Sequence, residues 1–182
     1  IGTSKICAVV GKIYDNTVNI IGVGTQTSEG VRKGVVVNIE STVESIKKAV
    51  KEAELMANWK ISSVYVGITG GHIDSINNEA MIAINGPKIT SNDVKRVIEV
   101  ASAVAISKER KIIHVLPQEY IVDGETGIPN PVGMPGLRLG TKVHIVTGAV
   151  ASAKNLVKCL NLADLDVCDT VLQSLASAEA VL

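Results

Sequence analysis

The run Ile1-Gly2-Thr3-Ser4-Lys5 sets a glycine, two hydroxyls and a fixed positive charge directly ahead of the apolar stretch Ile6–Val10. These are the parts of a phosphate cradle. Glycine lets backbone approach a ligand closely because it has no Cβ. Successive N–H groups in a tight turn form an anion-binding nest. Thr3 and Ser4 supply hydroxyl donors and Lys5 a cation. Gly-Thr-Ser is also an ordinary turn composition, so the rest of the chain has to decide. A second group of chemical interest is acidic. Glu119, Asp123 and Glu125 form a carboxylate patch suited to a basic partner peptide, and the same residues suit a solvated loop.

Other reactive types carry less. His72, His114 and His144 lack local zinc-ligand spacing, which favours hydrogen-bonded structural roles. Cys7, Cys159 and Cys168 form no C-x-x-C pair. Their apolar contexts predict inert core thiols in a reducing compartment. No Ser-His-Asp motif is present.

Composition narrows the class. The chain has 182 residues, 46% hydrophobic, with 18 basic and 18 acidic side chains, so its formal net charge is zero. That is no electrostatic footprint for nucleic acid. With no Phe, one Trp and three Tyr, a stacking platform for single strands is also lacking. No apolar run approaches the roughly 20 residues of a membrane span, and no signal peptide is visible. The chain starts at Ile1 inside a strand-turn unit and stops at Leu182 inside an apolar run, so the expectation is a portion of a longer protein.

The elements that would position these residues follow from periodicity. Apolar runs at 5–10, 18–24 and 35–39, separated by Asp15-Asn16 and by Ser28-Glu29-Gly30 with Lys33-Gly34, predict a three-stranded antiparallel meander. Ile6–Val10 and Val35–Val37 read as strands covered on both faces. Ser41-Thr42-Val43-Glu44 reads as a capping box. Val43, Ile46, Ala49, Val50, Ala53 and Met56 give the helix after it one apolar face. Lys47, Lys48, Lys51, Glu52 and Glu54 form its solvated side, and Trp59 is expected to pack. A strand at Val64–Thr69 ends on Gly70-Gly71 and should lie parallel to the third strand.

From 72 to 147 the pattern changes: a strand-like stretch to Asn85, then a helix capped by Thr90-Ser91-Asn92-Asp93 with apolar positions Val94 to Ala105. A strand at Ile112–Leu116 stopped by Pro117 follows, then a short piece at Tyr120–Val122. A Gly/Pro-rich loop over 123–137 and a strand at Arg138–Thr147 complete it. Loops this rich in turn residues are usually functional or contact surfaces. After Gly148 come a helix marked by Ala153, Leu156, Val157 and Leu160, a strand at Val167–Leu172, and a small-residue helix from Gln173. The expected organisation is one α/β domain formed by 1–71 and 148–182, interrupted by an inserted domain at 72–147. The glycines at both seams are typical of domain boundaries.

Several segments carry a resemblance to a known family. They are Ile1–Lys5, Asn19–Gly24, Gly30–Gly34, Ile61–Val66 with Gly70–Ile73, His114–Tyr120, and most specifically Asn130-Pro131-Val132-Gly133-Met134-Pro135-Gly136-Leu137-Arg138-Leu139, with Leu175-Ala176-Ser177 near the end. In this order they resemble the N-terminal portion of the FtsA family of bacterial actin-like cell-division proteins. The resemblance implies an actin/Hsp70-like ATPase (RNase H-like) domain, called 1A in the family, at 1–71 and 148–182. It implies an inserted strand-helix-strand-strand (SHS2) domain, called 1C, at 72–147.

By the same resemblance, Gly2, Thr3, Ser4 and Lys5 are phosphate-loop residues. Gln173 stands where actin-like ATPases keep a residue that orients the attacking water. The cofactor implied is ATP with magnesium in the full-length protein. The acidic residue that leads the phosphate motif and the second phosphate hairpin lie outside this chain, so the stretch alone is expected to hold no nucleotide. The partners implied are FtsZ, through a domain outside this chain, further copies of the protein, and late division proteins such as FtsN through domain 1C. The inner face of the cell membrane would be reached through a C-terminal helix, giving a cytoplasmic, peripheral location at the division site. Two alternatives from the same superfamily are a pilus-assembly actin homologue and an ATPase or sugar kinase.

Overall fold

Strands β1 (Lys5–Tyr14) and β2 (Thr17–Thr27) form an antiparallel pair, with Lys5 opposite Thr27, Tyr14 opposite Thr17, and a bulge between Val10 and Gly11. They belong to a computed structural model that describes residues 1–15 and 17–182. Asp15 has a positive φ of 46°; its expected turn partner, Asn16, lies outside the described residues. The fold comprises two compact units. One is Ile1–Ile73 with Ala149–Leu182, and the other is Asp74–Gly148.

The first unit departs from a three-stranded meander. The third apolar run supplies only β4 (Val35–Val36), which pairs with β3 (Val31–Arg32) in a separate two-residue ladder. Nor does it run beside β5 (Ser63–Ile68). That strand pairs in parallel with β10 (Asp166–Leu172), Ile68 opposite Leu172. A run as short as Val35-Val36-Val37 is apolar without being long, and Asn38 immediately ends it by capping a helix. β1 is not covered on both faces either. Ile6 is buried, but Val9 is 55% exposed. A cleft of about 470 Å³, lined by Ile6–Gly11 of β1 and Ser63–Gly67 of β5, separates the two strand pairs.

Helix α1 (Ile39–Ala57) starts three residues earlier than its Ser-Thr-Val-Glu signature suggests. The cap is Asn38, in extended backbone, whose side chain accepts a hydrogen bond from the Ser41 N–H at 3.0 Å. Ser41 is therefore already helical. Asn58 closes the other end at φ 49°, its N–H bonded to the Glu54 carbonyl. The buried stripe is Thr42, Ser45, Ile46, Ala49 and Ala53, while Met56 is exposed. Thr42 and Ser45 enter the interior because their hydroxyls are satisfied: Thr42 Oγ1 donates to the Asn38 carbonyl at 2.7 Å, and Ser45 Oγ to the Ser41 carbonyl at 3.0 Å.

Two of the charged residues opposite are not merely solvated. Glu52 accepts from the Thr25 N–H at 2.8 Å and Glu54 from the Ile61 N–H at 2.7 Å. Trp59, expected to pack, is 71% exposed. α1 lies so close to β2 that a Cβ on Gly24 would stand 1.9 Å from the Ala49 carbonyl oxygen. Helix α3 (Val150–Leu162) buries Ala153, Leu156, Cys159 and Leu160, and α4 (Gln173–Val181) follows β10 directly. Of the three thiols only Cys159 is buried, and burial raises its pKa. Cys7 and Cys168 are exposed: Cys7 lies on the outward-facing side of β1, and Cys168 sits at the register irregularity between Val167 and Asp169 of β10.

The second unit is a four-stranded sheet in the order β6-β9-β7-β8 with one helix. β6 (Asp74–Ala83) and β9 (Arg138–Ala149) pair antiparallel over ten positions. Helix α2 (Ser91–Ser102) has a complete capping box between Thr90 and Asp93, and it buries Val97 and Ala101. It ends before Val104 and Ala105. β7 (Arg110–Val122) runs straight through Pro117, whose fixed φ suits extended backbone and removes only one donor. The segment after it is not loop throughout. Asp123 and Gly124, at φ 50° and 98°, make a two-residue turn of the I′ kind into β8 (Glu125–Ile128).

The cap assignment has a direct test. Asn38→Ala is expected to destabilise the first unit by about 1 kcal/mol, and Ser41→Ala by no more than about half of that, in urea denaturation. The reverse ranking would return the cap to Ser41.

Candidate functional site

The phosphate-like turn is held at three points. The Gly2 N–H donates to the Lys5 carbonyl at 3.0 Å, and the Ser28 N–H donates to the Ser4 carbonyl at 3.0 Å. The third tie is longer in range: the Gly34 N–H donates to Thr3 Oγ1 at 3.0 Å. Gly34 belongs to the Lys33-Gly34 turn that joins β3 to β4. Its φ of 77° and that of Lys33, 49°, again make a turn of the I′ kind.

That turn in turn abuts the end of β5. A Cβ on Gly34 would stand 2.3 Å from the Thr69 carbonyl oxygen and 2.6 Å from the Gly70 Cα. A Cβ on Gly70, at φ 127°, would stand 2.6 Å from the Lys33 carbonyl oxygen. Both positions need glycine for space as well as for backbone angle. Gln173 lies against the same strand. It is the first residue of α4, and its Cβ and Cγ would lie 3.6 and 3.7 Å from a Cβ on Gly67. Because β5 and β10 are parallel and end together, Thr69–Gly71 and Gln173 share one end of the pair.

The structure therefore gathers the 2–5 turn, the 33–34 turn, Thr69–Gly70 and Gln173 around the end of β5. Thr3, Ser4, Lys5, Lys33 and Gln173 are exposed there. Thr3 accepts from Gly34 and so keeps its hydroxyl hydrogen for another acceptor. Periodicity left the 33–34 turn unassigned to the site. Its signal was the Lys-Gly pair at the tip of a two-residue hairpin, which is visible only once β3 and β4 are known to pair.

The three carboxylates of the acidic group all lie on β7, β8 and the turn between them, but two are engaged. Glu119 Oε1 takes the Lys142 ammonium at 2.6 Å and Oε2 accepts from the Gly127 N–H at 2.8 Å. Asp123 Oδ1 accepts from the N–H groups of Leu137 and Arg138 at 3.0 and 2.8 Å. Asp123 thus anchors the far end of the Gly/Pro-rich segment, and its own N–H donates to the Arg138 carbonyl. Glu125 is exposed. The neighbouring sheet surface is polar: His144 Nδ1 lies 2.7 Å from Asn77 Oδ1, and Glu79 stands opposite Lys142. Among the described residues no group of three or more potential metal ligands forms, and no helix is long and apolar enough to cross a membrane.

Comparisons with known proteins agree in direction. The family profile described as the SHS2 domain inserted in FtsA matches residues 70–147. The cell division protein FtsA of Pseudomonas aeruginosa is 46% identical over 183 residues, covering 100% of this chain and 44% of that protein. FtsA of Borreliella burgdorferi is 45% identical over 185 residues, covering 100% and 45%. FtsA of Escherichia coli K12 is 43% identical over 183 residues, covering 100% and 44%. The chain thus spans less than half the length of these relatives. Among solved structures, a chain of a PilM-PilN type IV pilus biogenesis complex superposes with a TM-score of 0.65 at 14% identity, covering 98% of this chain and 47% of that one. At that identity the likeness is one of fold, the actin-like ATPase fold with its inserted SHS2 domain.

The Glu119–Lys142 pair can be checked by titration. The hydrogen bond from Lys142 holds the Glu119 carboxyl below its ordinary value, and the bond to Glu119 raises Lys142. A depressed acid stabilises the fold above its unfolded pKa and loses that contribution as pH falls through the folded one. A raised base stabilises below its unfolded pKa and loses its contribution as pH rises through the folded one. The pair is therefore strongest between the ordinary carboxylate and lysine ranges. Carboxyl NMR is expected to find Glu119 titrating low, and Lys142→Met to move it back up. An ordinary Glu119 titration in the unsubstituted chain would rule the pair out in solution.

Proposed function

Because this chain belongs to the FtsA family, we propose that it is the nucleotide-proximal portion of an ATP-dependent bacterial cell-division scaffold. In this reading residues 1–71 and 148–182 are domain 1A and residues 72–147 are domain 1C. The division into two compact units and the match of the SHS2 profile to 70–147 support that assignment. The observation that carries the reading is identity of 43–46% running the whole length of the chain to FtsA proteins. The gathering of Thr3, Gly34, Thr69–Gly70 and Gln173 around the end of β5 gives it chemistry.

At that end, Gly2, Thr3, Ser4 and Lys5 would contact the phosphates of ATP. Thr3 would donate its remaining hydrogen and Lys5 would offset charge. Magnesium bound with the nucleotide would neutralise developing phosphate charge during transfer. Gln173, exposed at the start of α4, would orient the attacking water. The fuller protein would associate with further copies of itself, bind FtsZ through another domain, and sit on the inner face of the membrane through another segment. Domain 1C would meet late division proteins such as FtsN. On its β7–β8 surface a basic partner would find Glu125 exposed but would compete with Lys142 for Glu119.

The pilus reading rests on fold alone, since the structural neighbour shares 14% identity. In the full-length protein, Thr3→Ala and Lys5→Ala are each expected to weaken ATP binding about tenfold or more, the worth of one hydrogen bond to a charged group. Unchanged affinity by calorimetry would remove the 2–5 turn from the site. Gln173→Ala is expected to slow hydrolysis with affinity retained. Co-sedimentation of the full-length protein with FtsZ filaments and anionic vesicles tests the scaffold role, and recovery in neither pellet would overturn it.

A further inference from the structure

Lys33 occupies the first central position of the β3–β4 turn at φ 49°. Turns of this kind need positive φ at both central residues and favour Asn-Gly, Asp-Gly or Gly-Gly. Gly34 satisfies the second position. A lysine at the first does not, since left-handed backbone costs an L-residue with a long side chain energy that Asn or Gly avoids. Strained backbone at an exposed turn persists where the surroundings fix it, and it clusters at ligand sites.

The surroundings of Lys33 do fix it. The Gly34 N–H next to it is bonded to Thr3 Oγ1 at 3.0 Å, and the Lys33 carbonyl oxygen would lie 2.6 Å from a Cβ on Gly70. The turn is clasped between the 2–5 segment and the end of β5. The ion pairs among the described residues are Lys47–Asp164, Lys48–Glu44, Arg96–Asp93 and Lys142–Glu119, and Lys33 is in none of them. A lysine is thus rooted, at a conformational cost, one residue from the backbone amide bonded to Thr3.

We propose that Lys33 is a second cation of the phosphate site, binding the polyphosphate of the nucleotide from the β3–β4 turn opposite the 2–5 segment. The inference rests on the nucleotide-binding reading above. Its mechanism is electrostatic: a strongly hydrated ammonium on a flexible stem acts as a point charge toward phosphate oxygens. The clasp sets where that stem starts.

The test separates this claim from the reading beneath it. ATP affinity and melting temperature are measured in the full-length protein for the unsubstituted form, Lys33→Asn and Lys33→Arg. Asn suits the turn, so Lys33→Asn is expected to melt at the same temperature or up to about 2 °C higher while binding ATP about tenfold more weakly. Lys33→Arg keeps the charge and is expected to bind within about threefold of the unsubstituted protein. If Lys33→Asn binds ATP as well as the unsubstituted form, Lys33 is not in the site, although the nucleotide reading stands. If Lys33→Arg loses as much as Lys33→Asn, charge is not what matters and the proposal fails. A lower melting temperature in Lys33→Asn would count against a strained turn and overturn the argument from it. Failure of the unsubstituted protein to bind ATP would take down both.

Discussion

The contact of Gly34 with Thr69 and Gly70 is the constraint on which the candidate site depends. Cβ atoms at these glycines would fall 2.3 to 3.0 Å from opposing backbone, closer than real Cβ atoms come. Here main chain packs on main chain, and neither glycine position has room for a Cβ. The β3–β4 hairpin has only two residues per strand and cannot be stable alone. Its position comes from this seam and from the Thr3 hydroxyl. Lys33, on the β3–β4 turn, takes its placement from this backbone contact, which tolerates no larger residue, whereas Lys5 is held by the Gly2 bond and by its pairing with Thr27.

Much of the scaffold was legible because it repeats. α2 and α3 announce themselves by a 3.6-residue period, and the Thr90–Asp93 box by its spacing. β5, β9 and β10 stand as apolar runs between turn residues. What failed was local competition. Ser41-Thr42-Val43-Glu44 has the composition of a cap, yet Asn38 precedes it with a better one, and the buried stripe moves to include Thr42 and Ser45. Val35–Val37 read as a strand because it is β-branched, but two paired residues leave no period to detect. Asp123-Gly124 carried a hairpin signal that the surrounding glycines and prolines masked. Of the candidate site, the 2–5 turn was suggested by its residue types and Gln173 only by likeness to a family. The site's third wall was not, because the Thr3–Gly34 bond joins residues 31 positions apart.

In the second unit, charge serves structure before it serves recognition. A carboxylate that accepts two backbone N–H groups in sequence, as Asp123 does from Leu137 and Arg138, replaces a missing strand partner. The segment between is held at its other points by backbone bonds: Ile89 N–H to the Met134 carbonyl, Gly133 N–H to the Ile89 carbonyl, and Ile84 N–H to the Leu137 carbonyl. The stretch richest in glycine and proline is therefore an ordered strap around Ile89, which is itself almost fully buried. Within it Gly133 sits at φ 90°, and a Cβ on Gly136 would stand 2.7 Å from Val122 Cγ1, so one position needs glycine for backbone angle and the other for space.

In the proposed reading, Thr3 links the seating of the β3–β4 turn to the binding of phosphate. Its oxygen accepts from the Gly34 N–H, so its own hydrogen must be donated elsewhere. A hydroxyl that accepts one hydrogen bond donates more strongly in another, because each bond polarises the next. A phosphate oxygen that takes the Thr3 hydrogen would thereby strengthen the Gly34 bond. The benefit would pass to the turn holding Lys33 and to the seam with Gly70. An alanine at position 3 would break this chain at its middle, a valine would do so while filling the space, and a serine would keep it. The hydroxyl at position 3 seats the hairpin, and in the proposed reading it would serve the ligand as well.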